Sequence, residues 1–248
     1  MYVHALYMYE ANPCVIVTQV QTKFTSITGQ DPSNMPYDPR TSVTAQVHSS
    51  IKNSLKNLRL SDEHTTTEGT YIDILILHSP LPTAQETLEA WSTLETYVPH
   101  RIRNLGISNT SLPILKYLYD SPQVSIKPAV VQNRFYEGTQ FDVPLREFNR
   151  QNQIIYQSFW TLTANPHLLR SDAVQQVASG AGISIAAALY CLVMGLGETT
   201  VLNGTTNEAH MQADLAAPAQ IKQLLQTQPA FRTLWEDALS RFKRLIRG

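Results

Sequence analysis

The chain has 248 residues and a formal net charge of -1, with 19 Lys and Arg interspersed among 20 Asp and Glu, so it lacks the field that draws nucleic acid or anionic lipid. Its length suits one (β/α)8 barrel or one large α/β domain with a sizeable core, a single domain spanning 1–248 being the expectation. Two distant cysteines, Cys14 and Cys191, argue against a disulfide framework or a metal centre. They fit a reducing, cytoplasmic setting.

In chain order, residues 1–14 (MYVHALYMYEANPC) form a divergent start carrying Tyr2, Tyr7 and Tyr9, with no basic stretch followed by a long apolar run. A β-rich run covers 15–23. It is followed over 29–40 (GQDPSNMPYDPR) by a turn-dense excursion rich in Pro, Asp and Asn, which in a barrel lies over the active-site mouth. Val43, Val47, Ile51 and Leu55 recur at helical spacing. The polar stretch 61–70 (SDEHTTTEGT) precedes a strand and belongs to the opposite, stability face. A strand at 71–78 leads through Pro80 to a helix begun by Pro82 or Thr83 and marked by Leu88, Trp91 and Leu94. Further strands are expected at 102–108, 129–132, 154–158 and 200–203, with a helix through Leu112, Leu115 and Leu118 after the first of them. The apolar run 185–196 is shorter than the ~20 residues of a membrane helix. The last segment, within 229–248, carries Leu234, Leu239, Phe242 and Leu245 on one side and cations on the other, as an outer helix of a barrel does.

Strands alternating with amphipathic helices specify a parallel sheet or barrel, and barrel enzymes place their chemistry where the strands end. The runs end at Lys23, His78, Ser108-Asn109, Gln132-Asn133, Gln157-Ser158 and Gly204-Thr205-Thr206. One such polar residue is ordinarily structural or solvated; six in succession describe a site. Lys23 and His78 fall on neighbouring strands. A desolvated lysine polarises a neighbouring acid or carbonyl, and a histidine donates to an oxygen on which charge develops. Ser108, Asn109 and Gln132 supply hydroxyl and amide groups suited to a carboxamide.

The segments YIDILILHSPLP (71–82), RNLGISN (103–109), VVQNRFY (130–136), YQSFWTLTANPHLL (156–169) and VLNGTTNEAHMQADL (201–215) resemble the aldo-keto reductase family, in particular a branch with LTGTT and HM near the last strand. The resemblance implies an incomplete (β/α)8 TIM barrel of class α/β, lacking the first one or two β/α units. It also implies a nicotinamide cofactor, NADP or NAD, and reduction of a carbonyl or activated alkene. By that likeness Lys23 and His78 match two members of the family's Asp-Tyr-Lys-His tetrad. Ser108, Asn109 and Gln132 match the residues holding the nicotinamide carboxamide, and Asp73 serves structure. Ser158 takes the place of a tyrosine that stacks on nicotinamide, with Phe159 and Trp160 beside it. Gly204 and His210 take the places of two cations around the 2′-phosphate, while Gly204, Thr205 and Thr206 open a helix whose backbone N–H groups suit phosphate. No Asp precedes Asp31, and Tyr9 with Glu10 is the candidate for the family's Tyr-Glu motif.

Phe135, Tyr136, Phe159 and Trp160 are candidates for the wall of a pocket for a small, largely apolar substrate. Missing strands leave an open edge, so a homodimer or a self-covering N-terminal segment is expected. Two other functions use the same residues: a cofactor-independent isomerase, dehydratase or cyclase, and a non-catalytic binding protein.

Overall fold

The structure is a computed structural model that describes residues 4–8, 17–59, 67 and 69–247. It divides into two compact units, Met1–Gln132 and Asn133–Gly248.

In the first unit the order is β1 (His4–Met8), β2 (Val17–Phe24), α1 (Val43–Asn57), β3 (Ile72–Leu77), α2 (Ala84–Glu95), β4 (Ile102–Ser108), α3 (Leu112–Asp120) and the start of β5 (Val130–Arg134). β2, β3, β4 and β5 are successive parallel neighbours, the arrangement that helical crossovers permit. Every residue of β3 (IDILIL) is buried, as in a strand covered on both faces. Its one charge, Asp73, is satisfied: Oδ2 accepts from the Val20 N–H at 2.8 Å and Oδ1 accepts from Arg103 at 3.0 Å. Asp73 therefore ties β3 to both neighbours, the structural role expected of it.

Helix starts follow from local chemistry. Thr83 caps α2 in a reciprocal box, its Oγ1 accepting from the Glu86 N–H at 3.1 Å while the Glu86 carboxylate accepts from the Thr83 N–H at 3.0 Å. β1 departs from the barrel pattern. It runs antiparallel along β2, from His4 opposite Gln21 to Met8 opposite Val17, where the sequence led to a homodimer or a self-covering N-terminal segment without specifying a strand. Tyr7 lies on this strand. Tyr2, Tyr9 and Glu10 lie outside the described residues, as does most of 61–70.

The second unit holds α4 (Val143–Gln151), β6 (Ile155–Phe159), α5 (Pro166–Leu169), α6 (Asp172–Ala181), α7 (Ile185–Met194), β7 (Thr199–Val201), α8 (Glu208–Thr227) and α9 (Pro229–Leu245). β6 and β7 are parallel. α7 is apolar all round and buried from Ala187 to Val193, so it is a core helix. α9 packs on α6 through Phe231, Ala238 and Phe242, which settles it as an outer helix. Among the described residues no single helix is long and apolar enough to cross a membrane.

Between β5 and α4 the chain makes an unusual turn: Gln140, Phe141 and Asp142 all have φ near +51°, at 51, 51 and 52°. Non-glycine residues pay roughly 1–2 kcal/mol each for this conformation. The surroundings hold it. Arg146 Nε donates to the Phe141 carbonyl at 2.9 Å, and Asp142 Oδ2 accepts from Asn133 at 2.9 Å and from the Tyr156 hydroxyl at 3.0 Å. The Phe135 and Phe141 rings meet at 5.0 Å. Counting β2 to β7, six parallel strands alternate with helices, the arrangement of an incomplete (β/α)8 barrel.

Candidate active site

β2 ends in Lys23-Phe24, and its register sets Lys23 opposite Ile76 and Phe24 opposite Leu77. The next residue of the neighbouring chain is His78, whose N–H donates to the Phe24 carbonyl at 2.8 Å. Two strand ends about 4.8 Å apart thus present a lysine and a histidine together. Each alters the protonation of the site. Burial lowers the Lys23 pKa to about 8. Burial also lowers that of His78, helped by the nearby Lys23 charge, so the imidazole stays neutral to more acidic pH than an ordinary histidine.

Three details position His78. Its Nδ1 is buried without a hydrogen-bond partner among the described residues. Gly29 lies against that edge: a Cβ there would stand 3.3 Å from Nδ1 and 2.8 Å from the Thr25 methyl, so only glycine lets the loop approach so closely. Asn109, just after β4, adopts φ 51° and donates its side-chain amide to the His78 carbonyl at 2.8 Å.

Asn109 also donates to Ser108 Oγ at 3.2 Å, and its N–H donates to the Gln132 carbonyl at 3.1 Å. Ser108 and Gln132 pair across β4 and β5, and both are fully buried. The buried hydroxyl of Ser108 and amide of Gln132, beside the exposed Asn109 amide, match a group that both donates and accepts. A carboxamide is such a group, so these residues fit nicotinamide. The loop after β2 folds back on the same end: Tyr37 stacks on Phe24 at 5.9 Å and its hydroxyl donates to the Thr25 carbonyl at 2.6 Å.

The remaining predicted residues, Tyr9 apart, lie in the second unit. Phe135 is 0% exposed and is a core residue rather than pocket wall. The Ser158 hydroxyl is buried against Thr161 Oγ1 at 2.8 Å, leaving no aromatic ring at that position. Tyr136 and Phe159 are half-buried, and Trp160 is 56% exposed. Before α8, the Thr205 N–H is taken by Asn203 at 2.9 Å, the Asn207 N–H by Thr205 Oγ1 at 3.2 Å and the His210 N–H by Asn207 at 3.1 Å. Of the backbone donors proposed for phosphate at Gly204, Thr205 and Thr206, that of Thr205 is therefore engaged internally. Gly204, Thr206 and His210 are exposed. Tyr9 lies outside the described residues. Among the described residues no group of three or more His, Cys, Asp or Glu is placed to hold a metal.

The sequence reading passed over Arg134. Its guanidinium lies over the Trp160 ring at 4.0 Å and near that of Tyr136 at 5.2 Å. A cation two residues beyond a buried Gln132 in a hydrophobic strand was the available signal.

A family model described as the aldo/keto reductase family matches residues 13–137. The chain belongs to this family. Among the chain's relatives is the 2,5-diketo-D-gluconic acid reductase B of Corynebacterium sp. (strain SHS752001), 26% identical over 158 residues that make up 63% of this chain and 53% of the relative. The chain spans about half the length of the curated relatives it matches. Among solved structures, an aldo/keto reductase of Brucella melitensis aligns with TM-score 0.59 at 18% identity over 79% of this chain and 66% of that one. One from Klebsiella pneumoniae, in complex with NADPH, aligns with TM-score 0.57 at 18% identity over 84% and 69%. These likenesses establish the barrel fold.

Proposed function

We propose that the chain is an NAD(P)H-dependent oxidoreductase that reduces the carbonyl of a small, largely apolar molecule, with Lys23 and His78 as its catalytic residues. The observation carrying this reading is the pairing of a half-buried lysine and a neutral histidine beside the buried Ser108 and Gln132 and the exposed Asn109 amide. The curated relatives are named as reductases or oxidoreductases, which supports it.

The bound cofactor supplies hydride. His78, neutral at working pH, donates an imidazole N–H to the substrate oxygen as negative charge builds there. Lys23 holds its proton on Nζ with a pKa of about 8, close to the working pH of a general acid, and delivers it to that oxygen. A lysine poised in this way does the work of a tyrosine donor. With no cation at Gly204 or Thr206 and an exposed His210, the chain favours NADPH over NADH little. The β1 strand along β2 supports a self-covered monomer, the alternative being a homodimer, and a buried free Cys191 supports a cytoplasmic setting.

The test is a fluorescence titration with NADPH and NADH, followed by turnover of apolar aldehydes and ketones. Saturable cofactor binding is expected, with kcat reduced about 10²–10⁴-fold in Lys23→Met and in His78→Ala. Absence of saturable binding would remove the reductase reading. A cofactor-independent conversion lost in the same variants would replace it with proton-transfer chemistry.

A further inference from the structure

Arg134 closes β5, and Trp160 directly follows the end of β6. The guanidinium carbon sits 4.0 Å from the Trp160 ring centroid and 5.2 Å from that of Tyr136. No carboxylate or carbonyl among the described residues accepts a hydrogen bond from Arg134, and its Nε is buried without a partner. A buried charged donor left unpaired is costly, and folded proteins retain one where a ligand completes it.

The two rings are themselves fixed. Tyr136 lies over Gly138, where a Cβ would come within 2.4 Å of the ring, so only glycine allows this seat. Trp160 holds φ 56°, a left-handed conformation that costs a bulky residue energy and collects at ligand sites. Its turn is locked from below. Asn165 donates to the Phe135 carbonyl at 2.7 Å and to the Thr161 carbonyl at 3.0 Å, and Thr161 meets Ser158 at 2.8 Å. More than half of Trp160 nevertheless faces solvent, at 56% exposure.

A guanidinium seated over an aromatic ring keeps its N–H fork pre-organised for two oxygens of one anion. We propose that Arg134, with Trp160 and Tyr136, is an oxyanion-recognition site taking a carboxylate or phosphate oxygen pair. The anion has two sources in a reductase, the carboxylate of an acid substrate or the cofactor's diphosphate, and to that extent the inference rests on the reading above.

The probes are inorganic pyrophosphate and benzoate, titrated against the full chain with tryptophan fluorescence as the signal. At least one should saturate at millimolar concentration or below. The signal should vanish in Trp160→Phe. Arg134→Met should weaken binding about tenfold or more, and Arg134→Lys should recover only part of it, since an ammonium lacks the fork. Circular dichroism and thermal midpoints close to the parent's in both variants separate this from misfolding. If Arg134→Met weakens pyrophosphate and NADH alike, the anion is the cofactor's diphosphate. If instead KM rises about tenfold for a carboxylate-bearing carbonyl compound and not for its uncharged analogue, with NADH affinity unchanged, it is the substrate's. Binding of neither probe, or binding equal in parent and Arg134→Met, overturns the proposal. Because these titrations need no turnover, an inactive chain that still binds anions through Arg134 sinks only the reductase reading.

Discussion

Lys23 joins two effects through one cause, the removal of its ammonium from water. The lowered pKa of about 8 predicts a basic limb near pH 8 in the turnover profile, lost in Lys23→Met. The acid limb belongs to His78 and falls below the ordinary histidine value. The same displacement has a stability consequence. Between the folded pKa and the higher unfolded one, the unfolded chain binds more protons, so stability rises with pH over that window. Below about pH 8 the charged lysine is a standing cost, and Lys23→Met should raise stability at pH 7 by on the order of 1–2 kcal/mol, discounted for its partial exposure. Thermal melts at pH 7 and pH 10.5 check this, since the gain should shrink at the higher pH. Gly29 acts by steric room alone. Gly29→Ala drives a methyl toward His78 Nδ1 and the Thr25 methyl, and kcat/KM should fall ten- to hundredfold through a displaced imidazole. Steady-state kinetics beside an unchanged circular dichroism spectrum would read that effect.

The left-handed turn at Gln140, Phe141 and Asp142 is held chiefly by one carboxylate. Asp142→Ala strands the buried Tyr156 hydroxyl and takes one acceptor from the Asn133 amide while keeping the backbone strain, so a loss of about 2–4 kcal/mol is expected in urea melts. Asp142→Asn keeps an acceptor and should fare far better. The Asp142 pKa is raised by burial, so the native state is penalised at neutral pH and relieved as acid protonates the group. The asparagine variant should therefore match or exceed the parent at pH 7. This turn was illegible in the sequence because Gln-Phe-Asp contains no glycine to signal positive φ. Strands such as IDILIL and the helix through Leu88, Trp91 and Leu94 were legible because burial on two faces and on one stripe leaves distinct patterns. Lys23 and His78 were legible because register carries strand ends directly into space. Arg134 was not, since its meaning depends on a ring supplied by the turn after another strand. Phe135 misled for the opposite reason: an aromatic beside a site motif reads the same whether it lines a pocket or fills a core.

At the scale of the whole chain, six parallel strands leave β2 with a free edge that β1 occupies. A chain beginning at residue 9 would expose that ladder of N–H and C=O groups, and light scattering should show concentration-dependent association that the full chain lacks. The formal charge of -1 counts Lys23 as a full cation. With its pKa near 8, about half a proton is missing from the molecule at that pH. A ligand that brings negative charge to the ammonium restores it, so binding draws a proton from solution. The heat of binding measured at pH 8 should then vary with the ionisation enthalpy of the buffer, making the solvent's own acid a silent co-substrate of recognition.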